Sequence, residues 1–382
     1  MADLVFKISP NIVLGSYTSS RLGLYAKDFG SRFILLLDPV LREEGSVDSL
    51  FQSLAARNVE YFVFDEITGA ADSETIRRAL ALAKEAHVHG VIAIGGSSVM
   101  NVARALCSIY NEVHGLYDFL DGSNPTAGAL PLIALPSTIR NMFLFSDNVP
   151  VVDARNKQIK LLKIQNGLCK LALFDPNFTV SLTENQRDSI SLDALCIAIE
   201  AFVSQKASFF SDMLSEKAIQ VLGYALDGSQ SLSVTSSSEV LLSQGGCMAS
   251  LAVATSCLGP ASLLGLAIHS RYNISHSLIA CILFPYMIED IAKYKADKIA
   301  SVAKILNIVD DSVSPEEAAA ALASSIRHKI AQANLPSRLK DLSLSMEQLS
   351  LAAEDAGQLD LINGMARSMT ADDLFELIKL AY

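Results

Sequence analysis

Along the first half of the chain, short runs of uninterrupted apolar residues alternate with longer stretches whose apolar residues recur every three or four positions. Arg32–Asp38 (Arg-Phe-Ile-Leu-Leu-Leu-Asp) is one such run, closed by a carboxylate. It predicts a strand buried on both faces, as in a parallel sheet. Glu60–Phe64, Val91–Ile94, Leu130–Leu135 and Leu171–Phe174 read as further strands. Val47–Ala56, Asp72–His87 and Ser98–Ile109 carry helical spacing between them. The second of these has Asp72 or Ser73 as its cap and Glu74 in its first turn. Val149–Asp153 and Gln158–Leu162 predict a two-stranded excursion. Strand alternating with helix indicates a doubly wound α/β domain.

From Leu182 the pattern changes. Thr183 can cap a helix, and Ser191–Val203 is strongly apolar. Helical periodicity then recurs in Phe209–Leu226, Glu239–Leu258, His276–Lys295, Asp297–Leu306, Pro315–Ala333, Met346–Ala356 and Ala371–Ala381, and no strand pattern follows Phe174. The expected division is an α/β domain over residues 1–182 and an all-helical domain over 183–382. Ser229–Ser238 is rich in serine and reads as an exposed loop. Val240–Ile268 holds no charged residue and is long enough to span a bilayer. Its Ser243, Gln244, Gly245, Gly246, Thr255, Ser256, Gly259, Pro260 and Ser262 argue instead for a helix buried on all sides of a helical domain.

One stretch carries candidate chemistry on local grounds. Val91–Ile94 ends in Gly95 and Gly96, and Ser97 and Ser98 stand where a helix begins. A strand, a glycine turn and a helix start let backbone N–H groups approach an anion closely, and a dinucleotide diphosphate is the natural guest. The same pattern also serves as a tight βα turn with no ligand. Asp38, at the end of an early strand, could accept the hydroxyls of a ribose or could be a solvated loop carboxylate. Its functional reading requires convergence with Gly95–Ser98.

Composition narrows the field. Among 382 residues the net charge is −11, and Lys and Arg form no cluster. Nucleic-acid binding, which needs grouped cations against phosphates, is not expected. The six cysteines (Cys107, Cys169, Cys196, Cys247, Cys257 and Cys281) form no C-x-x-C pair and read as buried thiols in a reducing cytoplasm. The first residues lack the apolar core of a signal peptide.

Several motifs together resemble the iron-containing (group III) alcohol dehydrogenases. Gly95-Gly-Ser-Ser-Val-Met-Asn-Val-Ala-Arg104 is similar to G-G-G-S-x-x-D-x-A-K, and Pro131-Leu-Ile-Ala-Leu-Pro-Ser-Thr138 to P-x-I-x-I-P-T-T. Phe174-Asp-Pro176, Ser181-Leu182 and Leu192–Ser204 resemble D-P…S-L-P…M-D-A-L-T-H-A-I-E-A-Y-V-S, and Met369–Tyr382 the C-terminal helix. The resemblance implies a Rossmann-like N-terminal domain binding NAD or NADP, a C-terminal helical metal domain, and alcohol oxidation or carbonyl reduction. It places cofactor contacts at Asp38, Gly95, Gly96, Ser97, Ser98, Asn101, Ser137 and Thr138. The implied partners are a small-molecule substrate and a second copy of the chain as a dimer, with no membrane.

The departures fall on the chemistry. The family holds its metal with one aspartate and three histidines. Asp193 and His276 match two of these, but the other positions carry Ile197 and Ser262, and a nearby catalytic histidine is replaced by Leu266. Two ligands seldom hold a divalent ion, and isoleucine cannot coordinate. No metal is therefore expected. The cofactor turn has Ser97, Asn101 and Arg104 in place of glycine, aspartate and lysine. Ile139–Leu144 replaces A-G-T-G-S-E, which should narrow the space near the diphosphate, although Arg140 could meet a phosphate. Two functional expectations follow. One is a metal-free NAD(P)-dependent reductase with Asp193 orienting His276 as proton donor. The other is an inactive member that keeps the fold for nucleotide binding or assembly.

Overall fold

A computed structural model describes residues 10–165, 167–227 and 236–382. The chain forms two compact units, Met1–Ser181 and Leu182–Tyr382. The loop expected at Ser229–Ser238 falls outside the described residues as far as residue 235.

The first unit contains β1 (Asn11–Leu14), α1 (Leu22–Ala26), β2 (Arg32–Leu37), α2 (Pro39–Glu43), α3 (Asp48–Ala55), β3 (Glu60–Phe64), α4 (Ser73–Glu85), β4 (Gly90–Gly95), α5 (Ser97–Ile109), α6 (Leu116–Leu120), β5 (Leu132–Pro136), β6 (Asn148–Asp153), β7 (Gln158–Lys163) and β8 (Cys169–Phe174). Six strands form one sheet in the order β1-β8-β5-β4-β2-β3, and every pairing in it is parallel. The uninterrupted apolar runs are explained by cover on both faces. In β2, Phe33, Leu35 and Leu37 join a core with Leu22 of α1 and Leu50 and Leu54 of α3, and the alternate residues Ile34 and Leu36 are fully buried too. β6 and β7 are the expected antiparallel excursion. β1, absent from the sequence reading, is a four-residue edge strand beside β8.

The second unit contains α7 (Glu184–Val203), α8 (Phe209–Asp227), α9 (Ser238–Ala254), α10 (Pro260–Tyr272), α11 (His276–Ile305), α12 (Pro315–Gln332), α13 (Met346–Gly357) and α14 (Ala371–Ala381). Its described residues include no strand. Thr183 caps α7 through a reciprocal pair with Gln186. The single helix expected over Val240–Ile268 is corrected to α9 and α10. The break spans residues 255–259, and Pro260 then takes the first helical position of α10, with Gly259 as its N-cap. α11 covers two expected helices joined across a kink at Lys295 (φ −138°). Among the described residues no helix is long and apolar enough to cross a membrane. None of the six cysteines is in a disulfide, and all are buried; burial pushes the Cys169 and Cys247 thiols up to about 12, so they stay protonated near neutrality.

Candidate active site

Two constellations hold the residues singled out above, one in each unit. In the first, β2 leads outward to β3, whereas β4 leads through α5 in the opposite direction to β5. The carboxyl ends of β2 and β4 therefore flank the point where the connections reverse, which is where open α/β sheets bind ligands. Asp38 and Gly95 meet there. Asp38 N–H donates to Ile94 O at 2.9 Å, and a Cβ added to Gly95 would lie 3.0 Å from Asp38 Cβ and 2.7 Å from Val99 Cγ2. Ser137 N–H donates to Gly95 O at 2.9 Å. Gly96 is the N-cap of α5 and gives it no side-chain cap, so the first N–H groups of the helix lack intrahelical partners. Gly96, Ser97, Ser98 and Thr138 are half-buried, Ser137 is buried, and Asn101, one turn further along α5, is buried.

Asp38 also caps α2, with Oδ1 accepting from Val40 N–H at 3.2 Å. Burial raises its pKa, against the opposing pull of the Val40 and Gly96 N–H groups. The loop after Thr138 is packed inward: Ile139, Asn141, Met142, Phe143 and Leu144 are buried. Ser97 Oγ donates to Arg140 O at 3.0 Å, and Asn141 Nδ2 donates to Thr138 O at 2.6 Å. Arg104 points away from this turn; it is fully buried and donates to Ser146 O and Asn148 O.

In the second unit, Asp193, Ile197 and Glu200 fall on one face of α7 at spacings of four and three. His276 opens α11. Its Nδ1 lies 3.0 Å from Asp193 Oδ2, and its Nε2 lies 3.0 Å from Ser262 O on α10. Ser277 Oγ donates to the same Asp193 oxygen at 2.8 Å. Ser262 O can only accept, so Nε2 donates to it, and Nδ1 faces the Asp193 carboxyl. Gly265 packs against the ring: a Cβ there would lie 3.0 Å from Nε2. Glu200 Oε1 accepts from the N–H groups of Ala261 at 2.9 Å and Ser262 at 3.1 Å, at the start of α10. Burial pushes the Glu200 carboxyl up to about 7. His269 lies apart, with Nδ1 2.8 Å from Ile274 O.

Comparison with known proteins fits this geometry. Residues 9–176 match the family described as iron-containing alcohol dehydrogenase, and residues 189–382 match the C-terminal part of the Fe-containing alcohol dehydrogenase family. The chain belongs to the iron-containing alcohol dehydrogenase family. It is 22% identical to lactaldehyde reductase of Escherichia coli (strain K12) over 351 residues, 91% of each chain. A crystal structure of 1,3-propanediol oxidoreductase superposes with a TM-score of 0.89 at 19% identity, covering 98% of each chain. NADH-dependent butanol dehydrogenase A from Thermotoga maritima superposes at 0.84 with 18% identity, covering 100% of this chain and 99% of that one.

Within the family frame, the donor set of this member does not fit a divalent metal. Among the described residues no group of three or more His, Cys, Asp or Glu side chains is placed to hold one. Of the two matching residues, His276 has both nitrogens directed at protein acceptors, one of them Asp193. Ile197, Ser262 and Leu266 are buried. Glu200 belongs to this cluster and had been given no role. Its sequence signal was its position seven residues after Asp193 on the same helix.

Proposed function

We propose that this chain is an NAD(P)-dependent oxidoreductase that reduces a carbonyl compound, or oxidises the matching alcohol, without a bound metal ion. The observation that carries the reading is the meeting of Asp38, Gly95 and an uncapped helix start at the reversal point of the sheet. Gly95–Ser98 at the start of α5, with Ser137, Thr138 and Asn101, would hold the cofactor's diphosphate through backbone N–H groups. Asp38 meets the adenosine ribose.

When bound, nicotinamide would supply the hydride for the carbonyl carbon, and the protein must supply a proton to the carbonyl oxygen. Asp193 and His276 are the groups proposed for that proton. Asp193 fixes the ring through Nδ1. The Nε2 proton rests on Ser262 O, so its delivery requires that carbonyl to be exchanged for the substrate oxygen. Ile197 and Leu266 make the surroundings apolar, which suits a larger, partly apolar carbonyl compound better than ethanol. Buried cysteines outside any disulfide support a cytoplasmic protein, and we read the working form as a homodimer.

The test is a fluorescence titration with NADH and NADPH, followed by a panel of aldehydes and ketones with and without EDTA. Cofactor binding and chelator-resistant reduction, weakened in His276→Ala, are expected. Chelator-sensitive oxidation of ethanol or propanediol, or no binding of either cofactor, would sink the reading.

A further inference from the structure

The cluster around His276 joins three helices. Asp193 on α7 meets His276 and Ser277 on α11, His276 meets Ser262 O on α10, and Glu200 on α7 meets the N–H groups of Ala261 and Ser262 on α10. Every one of these side chains is at most 3% exposed. Each link of the ring is thus a hydrogen bond sheltered from water, and such bonds are costly to break singly because their partners are left buried and unpaired.

Glu200 occupies the decisive position. The α10 start has Gly259 as its N-cap and no side-chain cap of its own. The carboxylate of Glu200 supplies the missing acceptor from a different helix. It fits because residue 259 is glycine: a Cβ there would fall 2.5 Å from Glu200 Cγ. The two N–H groups it holds, those of Ala261 and Ser262, lie directly before the Ser262 carbonyl, the acceptor for His276 Nε2. The position of Glu200 therefore sets where the imidazole finds its second partner.

We propose that Glu200 is a positioning residue, and that Glu200, Asp193 and His276 form a metal-free clasp that ties α7, α10 and α11 together at the place where the family binds its ion. This deepens the metal-free reading above and rests on it. The clasp is a property of side chains that are closed on one another. A ring held at both nitrogens and packed against Gly265 is shielded from electrophiles, whereas His114 and His328 are exposed.

The experiment is carbethoxylation by diethylpyrocarbonate on the full-length protein, with each histidine read by peptide mass spectrometry. His276 in the wild type is expected to react at least about tenfold more slowly than His114 and His328. Glu200→Ala should raise His276 reactivity about tenfold or more, with the exposed histidines unchanged. Glu200→Gln keeps an acceptor oxygen at the same place and should retain the protection. Gly259→Ala, which displaces Glu200 without removing it, should also expose the ring, and it stands in if Glu200→Ala fails to fold. Protection unchanged in both Glu200→Ala and Gly259→Ala, or lost in Glu200→Gln, overturns the positioning role. Metal analysis of the same samples is read separately: a stoichiometric ion would overturn the metal-free reading, whatever the labelling pattern.

Discussion

His276 Nδ1 lies 3.0 Å from Asp193 Oδ2 across 83 residues of sequence, with both side chains almost wholly buried. In a metal site the imidazole lone pair and the carboxylate oxygen would both face the ion. Here they face each other, and the second ring nitrogen faces a backbone carbonyl. Coordination would require breaking two buried hydrogen bonds to gain two ligands, fewer than a divalent ion normally takes.

Protein purified without added metal should accordingly contain far less than one Fe or Zn per chain by elemental analysis. Added zinc should leave its melting temperature unchanged. About one tightly held ion per chain, lost on Asp193→Ala, would contradict this.

The two glycines of the β4 turn should respond differently to substitution. A Cβ at Gly95 would fall 2.7 Å from Val99 Cγ2, closer than real Cβ contacts come, and 3.0 Å from the Cβ atoms of Val99 and Asp38, so those side chains would have to shift. Gly95→Ala should therefore destabilise the first unit, by ~1–3 kcal/mol for an overpacked site. At Gly96 the nearest atom to an added Cβ is Thr138 Cγ2 at 3.7 Å, an ordinary contact. Gly96→Leu should fold with little change in melting temperature, yet lose NADH binding because the side chain stands where the diphosphate lies. Unchanged NADH affinity in a folded Gly96→Leu protein would remove the diphosphate from this turn.

These contrasts mark what a sequence reveals. The sheet was legible because strands covered on both faces leave uninterrupted apolar runs, as in β2 and β4. The edge strand β1 was not, since it is only four residues long and half-exposed. The α9–α10 break was hard to place because no charged residue falls between Glu239 and Arg271, so that only Gly259-Pro260 marked it. In the site, Ile197 and Ser262 were readable as departures from the resembled family's ligand pattern. What replaced them was not readable. Glu200 acts on N–H groups 61 and 62 residues away, and Ser262 acts through its carbonyl, which every residue type has. Arg104 was similarly opaque: the sequence put it in the cofactor turn, but its guanidinium is buried against the carbonyls of Ser146 and Asn148, and burial lowers its pKa to about 10.

Cofactor preference follows from the charges near the end of β2. Asp38 is a carboxylate at the expected ribose position, and Asp65, just past β3, holds Arg42 of α2 in an ion pair. A 2′-phosphate there would meet the Asp38 carboxylate, and Arg42, four residues on, is already engaged by Asp65. NADH should bind at least about tenfold more tightly than NADPH, a difference of ~1.4 kcal/mol. Asp38→Ser should narrow the gap, and adding Asp65→Asn should narrow it further by releasing Arg42. Paired fluorescence titrations decide the matter; equal or better NADPH binding by the wild type would refute the placement of the ribose at Asp38.

Glu200 gives the stability a pH dependence of definite sign. Its carboxyl titrates at about 7 in the folded protein, against an ordinary value of 4.5, because burial disfavours the charged form. Below about pH 4.5 the group is protonated in both folded and unfolded chains, and its contribution to stability is fully present. As pH rises from there, the unfolded chain ionises first, which favours unfolding until the folded carboxyl also ionises near 7. The accumulated loss is on the order of 3 kcal/mol. Glu200→Gln cannot ionise, so its stability relative to wild type should rise from about pH 5 to about pH 8 by up to that amount. Other groups cancel in the comparison: Asp121 and Asp153, held low by hydrogen bonds from Arg155, titrate far below this range in both proteins. Urea unfolding of the two proteins across these pH values reads the difference directly. A difference that stays flat would mean that Glu200 ionises in the folded protein at its ordinary pH, and that its buried charge is stabilised by the α10 N–H groups more strongly than burial opposes it.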